Sequence, residues 1–213
     1  ALAMMAVTGG EVTMPSRQVM PLADGSGFLG MMPGSGRTPP AHGIKVVMLR
    51  PHNAARGLPV IQGVVALFDA ETGAPSALID AAAVTAIRTA AVSGLATRLL
   101  AREDARVLAL LGCGVQAESH LEAMCAVRPI ERVRVWARTR AKAEAFCEAQ
   151  AGRHACALEV ADTALAAVDD ADLICTVTSA SEPVLRSEWG APGTHLNVIG
   201  SHDAQHREVD EIG

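Results

Sequence analysis

Positive charge is the first thing this 213-residue chain lacks: 18 Lys and Arg against 23 Asp and Glu leave a net charge of −5 and a pI near 5.8. The basic residues are scattered along the chain, whereas phosphate backbones and anionic membranes are bound by concentrated basic faces. Nucleic acid and membrane surfaces are therefore not expected as partners. No apolar run approaches the roughly 20 residues of a membrane span. The opening ALAMMAVTGGEV lacks the basic start and cleavage pattern of a secretory signal, so a cytoplasmic location is expected. The five cysteines form no C-x-x-C and argue for neither a disulfide framework nor a zinc site. The seven histidines form no cluster and no H-E-x-x-H, so no metal is expected.

What is present centres on Arg106 to Ala117, RVLALLGCGVQA. Val107 to Leu111 is a short continuous apolar run, the pattern of a strand buried on both faces of a parallel sheet. Gly112, Gly114 and Ala117 then form G-x-G-x-x-A, a dinucleotide-binding turn. The first glycine permits the tight turn, the second lets backbone approach a pyrophosphate, and the small third residue lets the helix pack on the strand. Cys113 beside a helix N-terminus has two readings, a thiol of lowered pKa or a small filler of the turn, and the filler is preferred. Downstream, Arg132 to Trp136, Ala155 to Val160, Leu173 to Val177 and Thr194 to Ile199 read as further strands. Helical stretches lie at Thr139 to Gln150 and Asp162 to Val168. Alternation of this kind predicts right-handed βαβ units and a Rossmann-type, doubly wound parallel sheet over 102–213.

The first eighty residues differ in character. Val12 to Met14, Arg17 to Pro21, Phe28 to Met32, Ile44 to Leu49, Gly63 to Phe68 and Ser76 to Ile79 read as strands. Turn signals separate them, among them Asp24-Gly25-Ser26-Gly27, Pro33-Gly34-Ser35-Gly36 and Pro39-Pro40. A β-rich domain over 1–80 is expected, joined through a helix over 81–101 that Asp80 would cap. The fold class is α/β.

Several stretches together resemble the ornithine cyclodeaminase and mu-crystallin family: PSRQVMP with GFLGMMPG, then GIKVVM, then LIDAAAVTAIRTAAVSGLAT running into LALLGCGVQAESH, and ICTVTSASEPVL with GTHLNVIGSHDAQHREVD. The resemblance implies a substrate and dimerisation domain ahead of the NAD(P) domain, a homodimer, and a chain incomplete at both family termini. It implies that Arg17 and Arg88 hold a substrate carboxylate, a role that suits the bidentate guanidinium geometry. Interdomain or surface salt bridges are the alternative for both. Lys45 matches the active-site lysine, and a lysine in so apolar a strand needs a reason, either function or snorkelling to solvent. Met32 and Pro33 match a pair at the pocket wall. Gln62, polar within an apolar strand, is a further candidate to face substrate. Arg88, Thr89, Val115 and Gln116 match cofactor-binding positions, the last three phosphate contacts, and Thr178 and Ser179 match the nicotinamide half.

Two departures sharpen the expectation. An NAD site usually carries an acid about 20 residues beyond the glycine turn, but the second strand ends Trp136-Ala137-Arg138-Thr139-Arg140. Arg138, Thr139 and Arg140 instead suit a 2′-phosphate, so NADPH is expected ahead of NADH, unless these residues merely begin an exposed helix. Cyclodeaminases of this family carry a catalytic Asp at the position of His202, with Asp203 adjacent here. A histidine of ordinary pKa about 6.5 donates a proton to an imine nitrogen. The expected activity is thus NAD(P)H-dependent reduction of a cyclic imino acid such as pyrroline-2-carboxylate, with Lys45 and His202 as catalytic groups. Ornithine cyclodeaminase, an amino-acid dehydrogenase and a non-catalytic NADPH-binding mu-crystallin-like protein are the alternatives.

Overall fold

Short β-forming runs separated by turns in the first part of the chain pair as an antiparallel sheet. In the computed structural model, which describes residues 1–201 and 207–211, a short helix α1 (Leu2–Thr8) precedes six strands. These are β1 (Val12–Thr13), β2 (Gln18–Pro21), β3 (Phe28–Gly36), β4 (Ala41–Leu49), β5 (Ile61–Phe68) and β6 (Pro75–Asp80). Their order is β1-β3-β4-β5-β6, with β2 also on β3. Pro33 to Gly36, expected as a turn, instead continues β3. Ser35 and Gly36 pair with β1 on one side and β4 on the other, and a ladder on both edges overrides local turn preference. The reversal falls at 37–40, around Pro39-Pro40.

Helix α2 (Ala81–Leu100) begins where expected, with the Ala83 N–H donating to Asp80 Oδ1 at 2.6 Å. The chain divides into two compact units, Ala1–Thr85 and Ala86–Gly213, so the division falls inside this helix. The second unit holds five parallel strands: β7 (Val107–Leu111), β8 (Arg132–Trp136), β9 (Ala157–Val160), β10 (Leu173–Thr176) and β11 (His195–Val198). Their order is β11-β10-β7-β8-β9. Helices α3 (Val115–Val127), α4 (Arg140–Gln150) and α5 (Ala164–Val168) connect them. The winding reverses between β7 and β10, the kind of point where doubly wound sheets take their ligands.

Strand parity explains the packing. Leu108, Leu110, Val133, Val135, Leu173 and Cys175 share one core with residues of α3 and α4, while Ala109, Leu111 and Ile174 share another with α5. Strand β7, at the centre, is apolar throughout because both of its faces are covered, whereas β8 buries only its valines, Val133 and Val135. Among the described residues no helix is long and apolar enough to cross a membrane.

Arg128 finishes α2. It is buried, and its guanidinium donates from Nε to the Arg102 carbonyl at 2.7 Å and from Nη2 to the carbonyls of Thr97, Arg98 and Ala101 at 2.8, 3.1 and 2.7 Å. A cation on the last-turn carbonyls satisfies acceptors that the helix leaves open and opposes its dipole. Replacing Arg128 by Met should lower stability by about 2–4 kcal/mol in urea denaturation, because those carbonyls lose charged donors inside the protein. A loss below about 1 kcal/mol would mean that water serves them equally well.

Candidate active site

The glycine turn sits at the reversal of the sheet, between β7 and α3. Gly112 has φ +120°, and a Cβ there would lie 2.7 Å from the Val177 carbonyl oxygen, so the protein itself demands glycine. Gly114 behaves differently. It stands in extended backbone (φ −94°, ψ −168°) as the N-cap of α3, and a Cβ there would meet nothing within 4 Å. No internal contact calls for its missing side chain, which leaves close approach of an outside group as the use for it. No side chain caps this end of α3, and the positive end of a helix dipole with uncapped N–H groups suits an anion. Val115 is exposed and Ala117 fully buried against the sheet. The Gln116 side-chain oxygen is buried without a hydrogen-bond partner among the described residues. This cradle fits the pyrophosphate of a dinucleotide.

Cys113 packs against the core of the unit, and burial pushes its thiol above the ordinary value, with Lys142 opposing weakly. It is a filler of the turn, not an activated thiolate. At the end of β8 the two expected cations differ. Arg138 is exposed and unpaired among the described residues, whereas Arg140 is tied to Glu144 at 2.8 Å and also to Asp162. Thr139 is the N-cap residue of α4, without a side-chain capping bond. Of the trio, Arg138 and Thr139 remain unengaged.

Beyond β10, Thr178 is already committed. Its N–H and hydroxyl both donate to Glu208 Oε1, at 2.5 and 2.6 Å, and its hydroxyl oxygen accepts from the Ala180 N–H at 3.1 Å. The side chain therefore points into the protein, leaving Ser179, which is exposed, as the group free to meet a ligand. Glu208 was not singled out from the sequence. One of two acids in HREVD, it resembles any surface charge, and only its burial sets it apart. His202 and Asp203 lie outside the described residues.

In the first unit, strand register defines a row across the sheet: Met32 pairs with Lys45, Lys45 with Val65, and Val65 with Ile79. Lys45 is half-buried in this row, and its Nζ donates to Thr85 Oγ1 at 3.3 Å, while the Thr85 hydroxyl donates to the Ala81 carbonyl at 2.7 Å. The lysine is therefore anchored against the first turn of α2 and does not simply snorkel. Arg17 immediately precedes β2, whose first residue, Gln18, pairs with Met31, the neighbour of Met32 on β3. Pro33 follows on β3. Gln62 is not brought to Lys45: it pairs with Met48, three residues along β4, and an odd step in a strand turns a side chain to the opposite face. Arg88 and Thr89 lie three and four residues beyond Thr85 on α2, the spacing of one helical face.

Comparison with known proteins shows the family and the fold. The profile of the ornithine cyclodeaminase/mu-crystallin family matches residues 2–212. The ketimine reductase mu-crystallin of Mus musculus is 40% identical over 202 residues, covering 95% of this chain and 63% of that protein. The solved structure of Thermococcus litoralis Δ1-pyrroline-2-carboxylate reductase with NADH and L-proline superposes with a TM-score of 0.94 at 34% identity, covering 98% of this chain and 65% of that one. An archaeal alanine dehydrogenase dimer with bound NAD gives a TM-score of 0.90 at 32% identity, with 98% and 63% covered. The chain thus spans a little under two thirds of the length of each of these relatives.

The two glycines should separate by experiment. Gly114→Ala should keep the melting temperature of the parent but lose dinucleotide binding, measured by titration calorimetry, because the new methyl occupies only space meant for phosphate. Gly112→Ala should cost roughly 1–3 kcal/mol of stability before any ligand is added. Undiminished binding by a folded Gly114→Ala protein would remove the cradle from the site.

Proposed function

The chain belongs to the ornithine cyclodeaminase/mu-crystallin family, and from that premise we propose that it is an NAD(P)H-dependent reductase of cyclic imino acids such as pyrroline-2-carboxylate. The observation that carries the reading is the cradle: a glycine turn at the sheet reversal whose second glycine is open to an outside group, at an uncapped helix N-terminus. A bound nicotinamide dinucleotide supplies the hydride. The chain's own residues do the rest. Arg17 and Arg88 hold the substrate carboxylate in the bidentate geometry that lysine lacks. Lys45, fixed by Thr85, orients the ring or protonates its nitrogen, and His202 is a second donor at that nitrogen. Hydride reaches the C=N carbon and a proton the nitrogen, giving a cyclic secondary amino acid.

Histidine at position 202, where cyclodeaminases carry their aspartate, turns the reading toward reduction and away from loss of ammonia. NADPH is the preferred cofactor in this reading, on the strength of Arg138 and the absence of an acid at the end of β8. A homodimer is the proposed assembly, as the archaeal alanine dehydrogenase is a dimer.

The deciding assay gives full-length protein pyrroline-2-carboxylate with NADPH, and separately ornithine with catalytic NAD(P). Oxidation of NADPH is expected with the first and no ammonia with the second. Robust ammonia release would return the cyclodeaminase, and no turnover of either would leave a binding protein. For the cofactor, Arg138→Ala should cut kcat/KM with NADPH by about 10-fold or more, as loss of a charged hydrogen bond does, and leave NADH nearly untouched. Equal effects on both would place Arg138 away from the 2′-phosphate.

A further inference from the structure

Glu208 is the one buried carboxylate among the described residues, with no accessible surface. Besides Thr178, it takes the Thr176 hydroxyl and the Gly200 N–H on Oε2, at 2.7 and 2.5 Å. Its backbone extends the same hold. The Glu208 carbonyl accepts from the N–H groups of Val184 and Leu185 at 2.9 and 3.0 Å, and its N–H donates to Ser201 Oγ at 2.8 Å. One residue thus joins the end of β10, the segment just past β11 and the chain at 184–185. Two of the donors to its carboxylate are backbone N–H groups, which cannot turn round to accept. A carboxylate satisfies both; an amide of the same shape would set its NH2 against one of them.

The position gives this clamp its meaning. It lies at the carboxyl ends of β10 and β11, beside the strand reversal where doubly wound sheets hold ligands, and it holds Thr178, the residue that precedes Ser179. We propose that Glu208 is a positioning residue: acting through Thr178 and Gly200, it sets the surface that receives the nicotinamide half of the dinucleotide. The inference rests on the cofactor reading above and adds to it a residue that touches no ligand.

The test separates the two halves of the cofactor. In the full-length protein, Glu208→Gln is titrated with NADH and with ADP-ribose, which lacks the nicotinamide, and its thermal melting is recorded. NADH affinity should fall about tenfold, the loss expected when a charged hydrogen bond is replaced by a mismatched one. ADP-ribose affinity should stay within about twofold of the parent, since the cradle of β7 and α3 is untouched. Equal losses for both ligands, or for neither, would overturn the positioning role, however the melting temperature moves. Should Glu208→Gln fail to fold, Thr178→Val removes only the hydroxyl held by Oε1 and is read by the same split, with an equal loss for both ligands again counting against the role. A parent protein that binds neither ligand would overturn the cofactor reading itself and this inference with it, an outcome distinct from parent binding with an unselective variant.

Discussion

A carboxylate can be taken fully out of water only where donors meet its oxygens, and the structure at the ligand end of the parallel sheet depends on one such group. Glu208 gathers the Thr176 and Thr178 hydroxyls and the N–H groups of Thr178 and Gly200. Charge-assisted bonds of this kind are the stronger class in proteins, and in a low-dielectric interior a set of them specifies a single arrangement. Strand β10 ends at Thr176, where the chain leaves the ladder and turns its polar groups toward this carboxylate. The path of the backbone past two neighbouring strands is therefore decided by a side chain from the segment that follows them.

The same stretch is gripped from the other side by packing. Val177 lies between Thr176 and Thr178, and its carbonyl leaves no room for a side chain at Gly112. The glycine motif thus divides its labour. Gly112 serves the protein, allowing β7 and the end of β10 to close on each other, while at Gly114 the space a side chain would fill stays open, which suits the proposed approach of a dinucleotide. A motif that reads as one unit in sequence is, physically, a crowded position followed by an open one.

Charges divide in a similar way between those spent internally and those left for a ligand. Arg128 is consumed by the carbonyls at the end of α2. His120 bridges the Gln116 carbonyl at 2.7 Å and the Ser93 hydroxyl at 3.0 Å, and burial pushes its pKa down, so it holds the first turns of α3 to α2 as a neutral ring. Arg140 is neutralised by Glu144 and Asp162. Arg138 and Ser179 are exposed at the ligand end of the sheet, and Lys45 is held at a defined height by a hydroxyl. Fixing an ammonium in this way narrows its position, which suits the proton delivery proposed for it.

The sequence by itself determined the parallel sheet, because continuous apolar runs such as Val107 to Leu111 suit only strands covered on both faces, and it determined the glycine turn and the start of α2 at Asp80. These are local signals, carried by neighbours in the chain. It also marked Lys45, as an ammonium in an apolar strand, and Arg138, as a cation where an acid was usual. Tertiary structure decided the rest. Pro33 to Gly36 became strand, since partners on both edges outweighed four turn-forming residues. Register, which a single strand does not contain, set Met32 and Lys45 in one row and turned Gln62 to the other face. Arg140 lost its availability to Asp162, a partner 22 residues away. Glu208 gained its place only when the ends of two strands converged on it: a carboxylate's burial and its donors are properties of the fold, and no pattern of neighbours in HREVD encodes them.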